Sequence, residues 1–311
     1  MKDHNKVKLL LLLLLAMPLS SFPQSGQQPY LIVLGVTQDG GYPHIGCDKS
    51  CCAGAWANDS LSRMVVSLAL ADPLSRKWWL MEATPDITRQ LPLFSMLTKG
   101  EFDFLPSGIF LTHAHIGHYT GLMYLGKEAL NTQNVPVYTL PRMNEFLKDN
   151  GPWSQLANIQ NINLIPITVN EKISLNENVS VEAFTVPHRD EYSETAGFRI
   201  MAGEKKYLFI PDIDKWSKFE KNIVQEVKEA DAAFLDATFY SADELPGRSM
   251  STVPHPLVTE TMDLFNSEST AIRSKIYFIH FNHTNPLLWN EAEKNRVRSL
   301  GFEIAEQGMK F

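Results

Sequence analysis

The sequence predicts an α/β (α+β) fold of four layers (αββα), in which two β-sheets face each other and helices cover both outer sides. Two observations carry this expectation. Short apolar or alternating runs bounded by turn signals recur in both halves of the chain, with helical patterns between them. Residues able to hold a metal or move a proton arrive directly after such runs, following Thr112, Val186, Ile210 and Ile279, so one edge of the sandwich should collect them.

Taken in order, strands are predicted over 31–36, 64–71, 78–82 and 108–112, which are nearly continuous apolar runs, then over 135–139, 163–166 and 179–186. Further strands are predicted over 197–202, 207–211, 232–236 and 275–280. Apolar residues spaced by three and four predict helices over 118–130, 141–150, 216–230, 256–266 and 290–300.

The chain opens with Lys2, Lys6 and Lys8, an unbroken apolar run over 9–17, then Pro18 and a small polar stretch containing Ser20, Ser21 and Ser25. That is the pattern of a secretory signal peptide, and the run is far shorter than the roughly 18 residues a membrane span needs. The expectation is a signal peptide over 1–25 and a single domain over 26–311, secreted or periplasmic after cleavage. Loss of 1–25 removes three lysines and one aspartate and takes the formal charge from −7 to −9. An acidic chain of this kind is a poor partner for nucleic acid or an anionic membrane. A small-molecule substrate is the expected partner, with no stable membrane insertion; composition leaves the oligomeric state open.

Three of the nine histidines stand within six positions, in Leu111-Thr112-His113-Ala114-His115-Ile116-Gly117-His118. Two histidines one residue apart at a strand end can converge on one cation, and a third five positions after the first can face a second cation. The alternative is a polar loop that happens to be rich in histidine. His188 follows Phe184-Thr185-Val186-Pro187, Asp212 follows Leu208-Phe209-Ile210-Pro211, and His280 ends Ile276-Tyr277-Phe278-Ile279. The three cysteines, Cys47, Cys51 and Cys52, also cluster. An odd, crowded set suits a metal better than a disulfide framework, because adjacent cysteines pair only under strain; one disulfide plus a spare thiol is the alternative.

In the order and strand context of these residues the chain resembles the metallo-β-lactamase-fold superfamily, whose signature is H-x-H-x-D-H, a distant His, a bridging Asp and a last His. The resemblance implies a first metal on His113, His115 and His188 and a second on His118 and His280, with Asp212 bridging. Gly117 stands where the signature has Asp, which leaves the second site one ligand short; water, Asp190 or a substrate oxygen can complete it, or one metal can suffice. Gly40-Gly41-Tyr42-Pro43, Ala83-Thr84-Pro85-Asp86-Ile87, Leu235-Asp236-Ala237-Thr238-Phe239, Ile279-His280-Phe281-Asn282-His283-Thr284-Asn285-Pro286 and Gly308-Met309 resemble the pyrroloquinoline quinone biosynthesis protein B family. The phosphodiesterase of the phosphonate pathway is a more distant relative. Relatives carry C-x-C-x-x-C, and the phosphodiesterase a His three positions after the last catalytic one. The resemblance therefore implies a structural zinc on Cys47, Cys51, Cys52 and His283, with Lys49 in the usual middle slot.

A metal held mainly by neutral imidazoles keeps much of its charge and lowers the pKa of bound water toward neutrality, which supplies hydroxide to attack an ester, lactone, amide or phosphodiester. Zinc is the expected ion, one or two catalytic and one structural, while iron or manganese also suits the catalytic donors. Asp212 is a candidate to hold the attacking water in line. His255, in Val253-Pro254-His255-Pro256, is a candidate for substrate contact or proton donation; capping or a solvent-facing role is the alternative. Glu82 and Asp86 are candidates to support a ligand histidine from behind, Asp86 alternatively to cap a helix, and Asp236 to orient a ligand. His44 is either a zinc ligand or a surface residue. The expected function is an exported metal-dependent hydrolase. Its alternatives are a metal-dependent oxygenase acting in quinone-cofactor biosynthesis and a non-catalytic binding protein on the same fold.

Overall fold

The computed structural model describes residues 28–311, so the predicted signal segment lies outside the described residues. Among them, β1 (Tyr30–Gly35), β2 (Ser67–Asp72), β3 (Lys77–Met81), β4 (Ile109–Phe110), β5 (Val135–Thr139) and β6 (Ile162–Pro166) form one sheet in chain order. The other sheet contains β7 (Lys172–Ser174), β8 (Val179–Val186), β9 (Thr195–Ala202), β10 (Lys205–Ile210), β11 (Ala232–Asp236), β12 (Ile276–Ile279) and β13 (Glu303–Ile304), also in chain order from one edge to the other. Each sheet begins as an antiparallel meander and continues in parallel, from β3 through β6 and from β10 through β13. Parallel strands end on the same side, which is where such sheets bind ligands.

Residues of alternating parity separate the layers. Leu31, Val33, Leu68, Leu70, Met81 and Phe110 of the first sheet share a core with Val181, Ala183, Phe198, Ile200 and Phe209 of the second. Phe110 meets Phe198 edge to face at 5.7 Å across that interface. The opposite face of the first sheet, with Tyr30, Ile32, Trp78 and Leu80, lies under the helix Ile87–Leu97, whose Phe94 stacks on Trp78 at 3.9 Å. Helices Ile223–Glu229 and Val258–Leu264 bring Ile223, Val227, Val258 and Met262 into the core on the other side. The four layers expected from the sequence are present.

Several elements differ from expectation. The helix expected over 118–130 is one α-turn, Ile116–Tyr119, followed by a 3-10 segment, Thr120–Leu125. Gly121 presses against the main chain there, with a Cβ on it falling 2.1 Å from the Thr84 carbonyl oxygen. The helix expected over 216–230 is split into Trp216–Lys218 and Ile223–Glu229, because the Asn222 side chain accepts from the Val224 and Gln225 amides and starts a new helix. Helix Ser50–Ala57 and strands β7 and β13 have no counterpart in the sequence reading, and helix Ile87–Leu97 figures there only as the helix that Asp86 could cap.

Candidate metal centre

The carboxyl ends of β3, β4, β8, β10, β11 and β12 deliver Glu82, the 112–118 segment, His188, Asp212, Asp236 and His280 to one edge. His113 Nε2, His115 Nδ1, His188 Nε2 and Asp212 Oδ2 converge, and the four ligand atoms lie within 4.8 Å of one another. The individual separations are 2.7 Å for His113 to His115, 3.2 Å for His188 to His115, and 3.3 and 3.2 Å from Asp212 to His113 and His188. A tetrahedral ion about 2.0–2.1 Å from nitrogen and oxygen donors separates them by roughly 3.3 Å, so the residues fit a metal such as zinc.

The bonds behind these donors select which nitrogen faces inward. His113 Nδ1 lies 2.9 Å from the Thr112 hydroxyl, and His115 Nε2 lies 2.9 Å from Glu191 Oε2. The Ser193 hydroxyl accepts from the Ala114 amide at 2.9 Å and holds the loop between the two histidines. Glu82 reaches His118 Nδ1 with Oε1 at 3.2 Å and accepts from the Thr112 amide with Oε2. The Thr238 hydroxyl donates to Asp236 Oδ1 at 2.7 Å and so is left to accept from His280 Nδ1 at 2.9 Å. In the neutral form of each ring this arrangement would leave the lone pair on Nε2 of His118 and of His280, and both atoms are buried without a hydrogen-bond partner. Glu82 and His280 have φ of 72° and 68°, left-handed values that cost a non-glycine residue on the order of 1–3 kcal/mol and concentrate at functional sites.

His255 Nδ1 lies 2.9 Å from Asp236 Oδ2 and 3.2 Å from Asp212 Oδ1, so Asp212, Asp236, His255 and His280 form a second group of converging donors. The ring is buried, which rules out the solvent-facing alternative for His255, and its helix begins three residues later at Val258. Among the described residues, imidazoles are the cationic partners of Glu82, Asp212 and Asp236. Burial works against charge on His118, but Glu82, Asp39 and Asp212 outweigh it and push its pKa up to about 9. Burial opposes charge on His255 as well, yet Asp236 and Asp212 push it up to about 10. Burial and the neighbouring His118 hold His113 well below the usual histidine range. Burial favours the neutral form of Asp212, but His188 and His255 hold its carboxyl well below the usual range. The cluster thus draws in positive charge, which a divalent cation supplies directly.

Two supporting roles come out differently from the sequence reading. The Asp86 carboxylate accepts from the Val65 amide at 2.9 Å and makes no cap to the helix it precedes. The Asp190 carboxylate accepts from the Thr195 hydroxyl at 2.8 Å, an engagement outside the histidine group. The sequence reading assigns no role to Asp39, Glu191 and Ser193, which are single loop residues, or to Thr112 and Thr238, which stand inside quoted stretches where nothing marks which histidine a hydroxyl meets.

The three cysteines are free thiols whose sulfurs lie within 4.8 Å of one another. Burial pushes Cys52 up to about 12, so an uncompensated thiolate is disfavoured there and a cation would relieve it. His283 is not within that group of mutually close ligand atoms; its ring lies 4.4 Å from that of His44. Burial, with His44 and Lys49 nearby, lowers the His283 pKa to about 4, which keeps the ring neutral as a ligand must be.

Comparison with known proteins agrees with this fold. Residues 77–281 match the family model of the beta-lactamase superfamily domain. The coenzyme PQQ synthesis protein B of Rhizobium meliloti is 27% identical, with the alignment covering 90% of this chain and 96% of that one. Among solved structures, zinc-bound PqqB from Methylobacterium extorquens superposes with a TM-score of 0.72 at 24% identity, covering 91% of this chain and 99% of the other. A diphosphatase from the PhnP family superposes with a TM-score of 0.65 at 21% identity, covering 91% and 96%.

Proposed function

The chain belongs to the beta-lactamase superfamily domain family, and from that premise we propose that it is an exported metal-dependent hydrolase acting on a small phosphodiester, ester or lactone. The observation that carries this reading is the convergence of His113, His115, His188 and Asp212 donors with the spacing a tetrahedral ion requires. A divalent cation there supplies Lewis acidity and a water of lowered pKa. The chain's own residues orient and exclude. Asp212 holds the centre of the cluster, and His255 keeps a proton at Nδ1 between Asp212 and Asp236. Arg189, half-exposed at the rim with Nη2 3.3 Å from His115 Nε2, places a cation where an anionic substrate would enter, which favours the phosphodiester. The lysines, apolar run and serines of the first 25 residues support export.

The test is turnover of a nitrophenyl phosphodiester by protein loaded with zinc or manganese, alongside esters, lactones and β-lactams. Activity is expected with the phosphodiester and its loss in His115→Ala. Absence of turnover across the panel sinks the reading. A second reading, an oxidative step in quinone-cofactor synthesis, is favoured by the names of the similar curated proteins and by donors that also suit iron. Iron in protein isolated from its host, with oxygen uptake, would select it.

A further inference from the structure

The main chain after β1 runs beside the chain after β12. Thr37 pairs with Phe281, and the Gln38 amide donates to the Phe281 carbonyl at 2.9 Å, which carries the next residue, Asp39, to the edge where His280 stands. Asp39 Oδ1 accepts from the Gly117 amide at 2.8 Å and lies 3.7 Å from His118 Nε2. The fit is close enough to exclude any side chain at 117, since a Cβ there would fall 2.2 Å from Asp39 Oδ1 and 2.7 Å from its Cα. The Asp39 carboxylate therefore stands in the space that a carboxylate at 117 would take.

Beside this carboxylate, His118 Nε2 is fully buried without a hydrogen-bond partner and lies 3.8 Å from Asp212 Oδ2, and the His280 ring, whose Nε2 is likewise buried and unpartnered, has its centroid 5.4 Å from that of His118. Buried polar atoms left without partners are costly, and a cation between them would satisfy both. We propose that Asp39 closes the shell of a second divalent cation with His118, His280 and Asp212, so that the centre holds two ions with a carboxylate donated from a remote segment. The inference rests on the reading of the histidine cluster as a metal centre.

Chelator-stripped full-length protein titrated with cobalt(II), followed by calorimetry and visible absorption, tests it. Asp39→Asn keeps an oxygen for the Gly117 amide but removes the charge, so the loop has its hydrogen bond and the ion loses an anionic ligand. The expected result is one fewer equivalent bound than in the native chain, or at least a tenfold weaker second binding step, with the first step unchanged. The double exchange Asp39→Gly with Gly117→Asp is expected to restore the second step. Unchanged stoichiometry and affinity in Asp39→Asn overturns the inference. Failure of the underlying reading looks different: His113→Ala would then take up as much cobalt as the native chain, which removes the ground for both.

Discussion

Glu82 Oε1 lies 3.2 Å from His118 Nδ1 with both side chains fully buried, while Glu82 Oε2 accepts from the Thr112 amide at 3.2 Å. One carboxylate thus stands against the His118 ring at ion-pair distance and anchors the loop that presents three histidines. Glu82→Gln keeps the shape but leaves a single oxygen for two donors. Metal affinity, measured by competition with a chromophoric chelator, is expected to fall about 10–100-fold. Native affinity in this variant would remove Glu82 from its supporting role.

Thr238 joins Asp236 to His280 through one hydroxyl. Thr238→Val conserves volume and deletes that link, leaving buried groups unsatisfied. A loss of about 1–3 kcal/mol in urea unfolding is expected, with Thr238→Ser close to native. Equal stability of the Val and Ser variants would argue that the hydroxyl is idle.

Removing the metal should destabilise the fold, because Glu82, Asp212 and Asp236 are buried carboxylates that share a limited set of imidazoles. An ion at 100 times its dissociation constant stabilises by about 2.7 kcal/mol. Stripping with chelator is expected to lower Tm by several degrees, and zinc to restore it. A Tm indifferent to both treatments would contradict metal binding by the native state.

The cysteine cluster and the histidine cluster should lose metal independently. Cys51→Ser is expected to remove one zinc equivalent by elemental analysis while phosphodiester turnover persists, and His113→Ala to lose turnover and the metal of the histidine cluster while the cysteine-held equivalent stays. If Cys51→Ser retains every equivalent, the thiols hold no ion.

Gly35 ends β1 at an irregularity in its register with β2, and a Cβ on it would fall 1.9 Å from the Val65 carbonyl oxygen. Gly35→Ala is expected to cost about 1–3 kcal/mol through forced backbone displacement. A native unfolding midpoint would show that the two strands can part without penalty.

Much of this was legible in the sequence where one element sufficed to create the signal. The apolar runs leading to Ile210 and Ile279 mark interior strands because burial on both faces demands continuous apolar residues, and the alternation of Val179-Ser180-Val181-Glu182-Ala183 marks β8 by its period of two. The H-x-H run marks the first half of the site because its spacing is local. β13 was not legible, since two residues become a strand only by pairing with β12. The helix Ile87–Leu97 was hidden by Pro92, whose presence inside a helix local rules disfavour. The expected 118–130 helix failed because its 3.6-residue pattern ignores how closely Gly121 approaches the Thr84 carbonyl. Asp39 stood 78 positions before Gly117, and nothing near either residue announces the other.

Asp212 belongs to both groups of converging donors, facing His113 and His188 with Oδ2 and His255 with Oδ1. A single anion shared in this way makes the two halves thermodynamically reciprocal: whatever loading one half does to the affinity of the other is returned in equal measure. If cations occupy both sides of Asp212, uptake would be one linked equilibrium, described by the shape of the whole saturation curve.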